Sequence, residues 1–209
     1  GVLRARGEPH GFDVLRGAMR VGRVEWALQG EHNQLNALAA IGAAEHLGVA
    51  PDAAARALAG FVNVRRRMEL RGTAGGVAVY DDFAHHPTAM RVTLEGLRRR
   101  LDQQQGPGGA FRVLAVFEPR SNTMKLGTMK AQLPWALEPA DLSFCLQGDY
   151  GWSAREALAP LGKGATVCDD VDSLVRTVAA AARPGDHVVC MSNGSFGGVH
   201  AKLLAALPQ

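Results

Sequence analysis

The apolar positions of this chain change their period along its length. In FDVLRGAMRVGRVEWALQ, residues 12–29, they alternate with polar ones on both sides of a Gly/Arg turn, which predicts a β-hairpin. HNQLNALAAIGAAEHLGV, 32–49, predicts a helix that stops at Gly48, and PDAAARALAGF, 51–61, predicts a second with Pro51 in its first turn. VNVRRRMEL, 62–70, is basic and irregular, a linker that runs into a strand. Beyond it, short apolar runs alternate with amphipathic stretches. The runs GVAVYD, FRVLAVFE, ADLSFCLQ, ATVCD and DHVVCMSN predict strands, and 87–101, 125–136, 152–159, 171–183 and 197–206 predict helices. That alternation indicates an α/β domain with a mainly parallel sheet flanked by helices.

The helix over 87–101 is the best specified. Pro87 suits a first turn, and Met90, Leu94, Leu97 and Leu101 form one apolar stripe, with Arg91, Glu95 and Arg99 at i,i+4 spacing on the wet side. QQQGPGGA at 103–110 reads as a flexible loop, and the RRR at 98–100 as a solvated helix face.

Composition narrows the class. The chain has 209 residues, 47% hydrophobic and 21% charged, with a net charge of +3, too weakly basic to argue for nucleic acid. No apolar run approaches membrane-spanning length. The opening GVLRARGEPHGFDVLRG has neither a leader's apolar core nor an initiator Met, and reads as the interior of a longer protein. Cys145, Cys168 and Cys190 are an odd, unpaired set, expected as small core residues in a reducing, cytoplasmic compartment.

Five stretches carry candidate chemistry. DDFAHHP, 81–87, lies between a buried strand and a helix N-terminus, the end of a parallel sheet where ligands collect. It reads as a metal site, as a loop whose carboxylate takes sugar hydroxyls, or as polar loop and helix cap. Consecutive residues of an extended chain point opposite ways, so only one of Asp81/Asp82 and one of His85/His86 can face a common metal. In GEHNQLN, His32, Asn33 and Asn36 share a helix face. An Asn amide suits a purine edge, and His32 or Asn33 could equally cap the helix. VRRRMEL offers a guanidinium for phosphate or a solvated linker. FEPRSNTMKLG and MSNGSFGG each follow a strand. The glycines of the second admit a close ligand and its following helix favours an anion, or it is simply a tight turn. No G-x-x-x-x-G-K-[ST] occurs in the sequence.

In their order, these motifs resemble the Mur ligase family. GEHNQLNALAAI looks like the family's adenine-contacting helix, FVNVRRRME like its phosphate-contacting linker, and DDFAHHP like its Asp-aromatic-x-His-x-Pro loop. The wording of RRRMELRG, VYDDFAHHPTA, EPRSNTMKLG and MSNGSFGGVH narrows the likeness to members that attach a whole peptide. The resemblance implies a Rossmann-like Mur ligase C-terminal domain at 67–209, a linker at 61–66, and at 1–60 the end of a central ATPase domain. It implies an ATP- and Mg²⁺-dependent ligase, used in peptidoglycan recycling. That enzyme joins L-Ala-γ-D-Glu-meso-diaminopimelate to UDP-N-acetylmuramate through an acyl phosphate. The phosphate loop and magnesium ligands would lie upstream, so this chain alone is expected to be inactive, with no catalytic residue and no metal of its own. The roles implied are nucleotide contacts at His32, Asn33, Asn36, Arg67, Asp82 and His85. Peptide contacts fall at Arg120, Ser121, Asn122, Ser192, Asn193 and Gly194. A non-catalytic nucleotide- or ligand-binding module, and a metal-dependent hydrolase built on DDFAHH, stand as alternatives. Neither nucleic acid nor membrane is an expected partner.

Overall fold

A computed structural model describes residues 2–28, 30–105 and 111–208. The chain divides into two compact units, Gly1–Val64 and Arg65–Gln209, and the division falls inside the segment 61–66.

The first unit is an antiparallel meander of β1 (Leu3–Glu8), β2 (Gly11–Arg16) and β3 (Met19–Glu25), with helices α1 (Glu31–His46) and α2 (Pro51–Ala57). Phe12, Val14 and Val24 from the sheet meet Ala37, Ile41 and Ala55 from the helices in a small core. The predicted hairpin is β2–β3. The third strand, β1, was not anticipated, because LRARGE carries three charged residues and is mostly exposed along the sheet edge.

The second unit is a six-stranded sheet of order β4-β5-β9-β6-β7-β8. The strands are β4 (Glu69–Ala74), β5 (Val77–Asp82), β6 (Val113–Phe117), β7 (Leu142–Leu146), β8 (Ala165–Cys168) and β9 (His187–Met191). Only β4 runs antiparallel. The five predicted strands are all present, and alternation explains their apolar runs. Val113, Ala115 and Phe117 of β6 face one buried layer, with α3 (Pro87–Gln105) and α5 (Leu133–Leu137). Leu114 and Val116 face the other, with α7 (Val171–Ala181) and α8 (Val199–Ala206). A strand buried on both faces has no polar position to spare. Cys145, Cys168 and Cys190 are free and buried, as expected.

The apolar stripe of α3 is buried at all four positions, and Arg91 pairs with Glu95 at 2.7 Å. Two expectations fail here. Arg98 and Arg100 are not a solvated face: Arg98 donates to Pro139 O, Phe111 O and Asp141, and Arg100 donates to the Tyr80 hydroxyl at 3.1 Å. The helix expected over 125–136 is broken into α4 (Asn122–Lys125), a 3-10 turn at Lys130–Gln132 and α5. Gly127 takes φ +71°, and Pro134 sits in the first turn of α5. The expected loop at 103–110 begins inside α3, and its remainder lies outside the described residues. Among the described residues no helix is long and apolar enough to cross a membrane.

Candidate functional site

The chain leaves β5 into α3 on one face of the sheet and leaves β9 into α8 on the other, although β5 and β9 are neighbours. A crevice opens at the carboxyl ends of strands where consecutive connections part in this way. Four segments meet around it: 66–68 before β4, 81–86 at the end of β5 and beyond, 118–122 after β6, and 192–194 after β9.

Arg66 ties three of them together. Its Nη2 donates to Ser192 O at 2.6 Å and Gly194 O at 2.8 Å, and its Nε to Asp81 Oδ1 at 3.2 Å. Its guanidinium lies 5.1 Å from the centre of the Phe83 ring, whose amide donates to Arg66 O. Arg66 and Met68 both adopt left-handed φ, 60° and 50°, so Arg67 is carried on a tightly turned, braced segment and is itself exposed. Strain of this kind persists only where surrounding bonds over-determine it. Here they do: Arg66 N donates to Glu69 and Met68 N to Asp82 Oδ2, both at 2.9 Å.

Asp82 is 2% exposed. Its Oδ1 accepts from Ala84 N at 2.8 Å and from the Thr93 hydroxyl at 3.2 Å, and its Oδ2 from Met68 N. Burial pushes its pKa up, against those amides and the charge of Arg67, which pull it down. Three of the four lone-pair positions of the carboxylate are taken, which leaves one on Oδ2 for a ligand hydroxyl. His85 Nδ1 lies 2.8 Å from Phe83 O, and its ring packs edge-on to Phe83. His86 accepts from Ala89 N at the start of α3, and burial first and His85 second lower its pKa. Every acid and histidine of DDFAHH is therefore engaged in holding the loop, an arrangement that disfavours a hydrolytic metal centre built on it. Among the described residues no group of three or more His, Cys, Asp or Glu side chains is arranged to hold a metal ion.

Across the crevice, the Ser192 hydroxyl donates to Glu118 Oε1 at 2.5 Å and accepts from Gly194 N at 2.8 Å. Ser192 and the Gly194 amide thus hold each other. Asn193 keeps a buried Oδ1 with no protein partner among the described residues. Arg120 lies across Gly194, with its Nε 2.5 Å from where a Cβ there would stand. Ser121 caps α4 by accepting from Met124 N, and Asn122 is exposed in its first turn.

In the first unit, α1 begins at Glu31 with Gly30 as its cap and no side-chain cap, so neither His32 nor Asn33 caps it. The His32 ring lies against Gly30, and Asn36 is exposed one turn on.

Sequence reasoning missed Arg66, Glu118 and His200. Glu118 was detectable: it is an acid directly after the wholly apolar strand β6. His200 Nε2 lies 3.4 Å from Asp81 Oδ1, and burial lowers its pKa more than Asp81 raises it. Nothing in VRRRME distinguishes Arg66, turned inward, from its neighbours.

Residues 66–194 match the sequence profile of the Mur ligase, glutamate ligase domain. The chain is 51% identical to the UDP-N-acetylmuramate–L-alanyl-γ-D-glutamyl-meso-2,6-diaminoheptandioate ligase of Escherichia coli K12, over 95% of this chain and 42% of that protein. It is 39% identical to a UDP-N-acetylmuramate–L-alanine ligase of Mycobacterium sp. JLS, over 87% of this chain and 38% of that protein. The crystal structure of a murein peptide ligase from Psychrobacter arcticus 273-4 superposes with a TM-score of 0.74 at 34% identity, covering 98% of this chain and 44% of that one. The chain spans less than half the length of each of these relatives.

Proposed function

The chain belongs to the Mur ligase family, and from that premise we propose that it is the nucleotide- and peptide-contacting part of an ATP-dependent ligase joining L-Ala-γ-D-Glu-meso-diaminopimelate to UDP-N-acetylmuramate. The observation that carries this reading is the 51% identity to a ligase of that name over 95% of the chain. The matched stretch includes the four loops that meet at the crevice. A cytoplasmic role in peptidoglycan recycling follows from the same reading.

ATP supplies the phosphoryl group that turns the muramate carboxylate into an acyl phosphate. The free amine of the peptide then attacks the acyl carbon, the amide forms, and phosphate departs with a proton released from the amine. Such chemistry depends on positioning and on exclusion of water. We assign His32, Asn33 and Asn36 to the adenine edge, Arg67 to a phosphate, and Asp82 with its His85 loop to ribose hydroxyls. The free position on Asp82 Oδ2 and the braced turn under Arg67 support the last two roles. Arg120, Ser121, Asn122, Ser192, Asn193 and Gly194 are assigned to the peptide. Within that set Arg120 and Asn193 make direct contacts, and Ser192 holds the loop through Glu118. Magnesium would be held by residues upstream of this chain.

The runner-up is a ligase that adds L-alanine alone, as named for the mycobacterial relative at 39% identity. A ligase assay on the protein that carries this chain separates the two. With UDP-N-acetylmuramate and ATP, the tripeptide is expected to give the amide and ADP in equal amounts. Amide formed faster from L-alanine than from the tripeptide, or formed without ATP, would contradict the proposal.

A further inference from the structure

The loop after β9 is pinned at both ends. It enters α8 through three successive residues at left-handed φ: Phe196 at 48°, Gly197 at 55° and Gly198 at 72°. The loops into α3, α4 and α6 (Ala154–Leu158) carry one such residue at most. Phe196 is fully buried, so packing fixes the far end of the loop. Arg66 fixes the near end. Its Nη2 takes two carbonyls at once, Ser192 O at 2.6 Å and Gly194 O at 2.8 Å.

Those two bonds decide where the loop's amides point. Across a trans peptide the C=O and N–H groups point opposite ways, and no peptide bond described here is cis. The planes 192–193 and 194–195 therefore send the N–H groups of Asn193 and Ser195 away from Arg66. Strand β9 lies between β5 and β6. Arg66 reaches the loop from the β5 side, through Asp81, and Glu118 and Arg120 stand on the β6 side. The two N–H groups thus face the opening between the loops. The amides beside them are already used: Ser192 N donates to Asp82 O at 3.1 Å and Gly194 N to the Ser192 hydroxyl at 2.8 Å. Those of Asn193 and Ser195 have no protein acceptor among the described residues. Backbone N–H groups aligned in this way suit a carboxylate or carbonyl oxygen.

Asp81 anchors the guanidinium. Its side chain is 7% exposed, and one oxygen accepts from Arg66 Nε at 3.2 Å and has His200 Nε2 at 3.4 Å. We infer that Arg66 is a positioning residue of the ligase: it turns the Asn193 and Ser195 amides toward the incoming peptide, with Asp81 as its anchor. The inference rests on the ligase reading above. The tandem acids then divide the work by facing opposite ways. Asp82 bonds Thr93 of α3 and serves the nucleotide; Asp81 lies beside His200 of α8 and serves the peptide through Arg66. The turn that carries Arg67 does not need the Arg66 side chain. Arg66 N donates to Glu69, Arg66 O accepts from Phe83 N, and Met68 N donates to Asp82. Loss of the guanidinium should therefore be felt by the peptide and not by ATP.

Steady-state kinetics of the complete ligase with UDP-N-acetylmuramate, ATP and the tripeptide test the assignment. Arg66→Lys keeps the charge, but a single ammonium lacks the planar fork that holds a carboxylate and two carbonyls together. It is expected to raise KM for the tripeptide about tenfold, the scale of one charge-assisted hydrogen bond, and to leave KM for ATP within about twofold. Asp81→Asn keeps Arg66 and every backbone bond of the turn, and should move KM for the tripeptide the same way by less. Urea melts of both variants report folding. An unchanged KM for the tripeptide in both variants would overturn the inference. So would KM values for ATP and tripeptide that rise together in step with lost stability. In either case ligation by the unsubstituted enzyme leaves the ligase reading standing. No ligation of the tripeptide by the unsubstituted enzyme would overturn both.

Discussion

Asp82 holds three protein donors, and that number sets what its loss would do. In Asp82→Ala the amides of Met68 and Ala84 and the Thr93 hydroxyl lose their acceptor inside the protein. A buried donor left unsatisfied costs about 1–3 kcal/mol. The variant should therefore unfold at clearly lower urea concentration, and the turn carrying Arg67 should loosen with it. If Asp82 also takes ribose, KM for ATP in the complete enzyme should rise about tenfold or more while KM for the peptide moves little. A stability loss with both KM values unchanged would confine Asp82 to bracing the loop. Arg66 shows why the same residue type at adjacent positions means different things. Three arginines in a row have one chemistry on paper. The left-handed φ at 66 and 68 sends one guanidinium into Asp81, Ser192 and Gly194 and leaves its neighbour exposed. Pairwise hydrophobic pattern carries no information about that turn.

At the scale of elements, β9 enters the sheet through a small polar and aromatic cluster. The Tyr80 hydroxyl accepts from Arg100 and lies 3.1 Å from His187 Nδ1, with the Tyr80 and His187 rings stacked and Phe111 set edge-on. The hydroxyl is best satisfied by donating to His187 Nδ1, which requires the neutral imidazole. Burial lowers the pKa of His187 below its ordinary value of 6.5, Arg100 and Arg98 push the same way, and Asp186 opposes them. The unfolded chain therefore takes up this proton first as pH falls. The stability that neutral His187 contributes is whole above about 6.5 and is lost as pH drops through the depressed folded value. Unfolding free energies in urea at pH 7.5 and 5.5 should show the loss, and His187→Gln, which keeps an acceptor but cannot titrate, should flatten it. His86 and His200 are shifted the same way, so the slope should shrink without vanishing. An unchanged slope in His187→Gln would remove this cluster from the account. The elements themselves were readable where burial is two-sided. Runs such as VLAVF can only be interior strands, and the Met90–Leu101 stripe can only be one helix face. Reading failed where a local break outweighed composition, as at Gly127 and Pro134 within 125–136. It failed again where an edge strand shows its charges to water, as LRARGE does.

For the whole molecule, the chain is two units with separate cores, and each carries part of the proposed ligand set. The edge of the sheet that carries the proposed site was legible, since loops that follow apolar parallel strands lie at one edge of the sheet whatever their sequence. Its wiring was not. Glu118, Arg66 and His200 act through bonds to residues 74, 126 and 119 positions away in sequence, and no local pattern records such distances. On the proposed function, segments 66–68, 81–86, 118–122 and 192–194 form one ligand-binding edge. Amide chemical-shift mapping of the chain, titrated with the tripeptide in the presence and absence of ADP, tests it most directly. Perturbation concentrated in those four segments, with the amino ends of β5, β6 and β9 unchanged, is the predicted result. Shifts confined to the opposite edge of the sheet, or no shifts at saturating peptide and nucleotide, would contradict it.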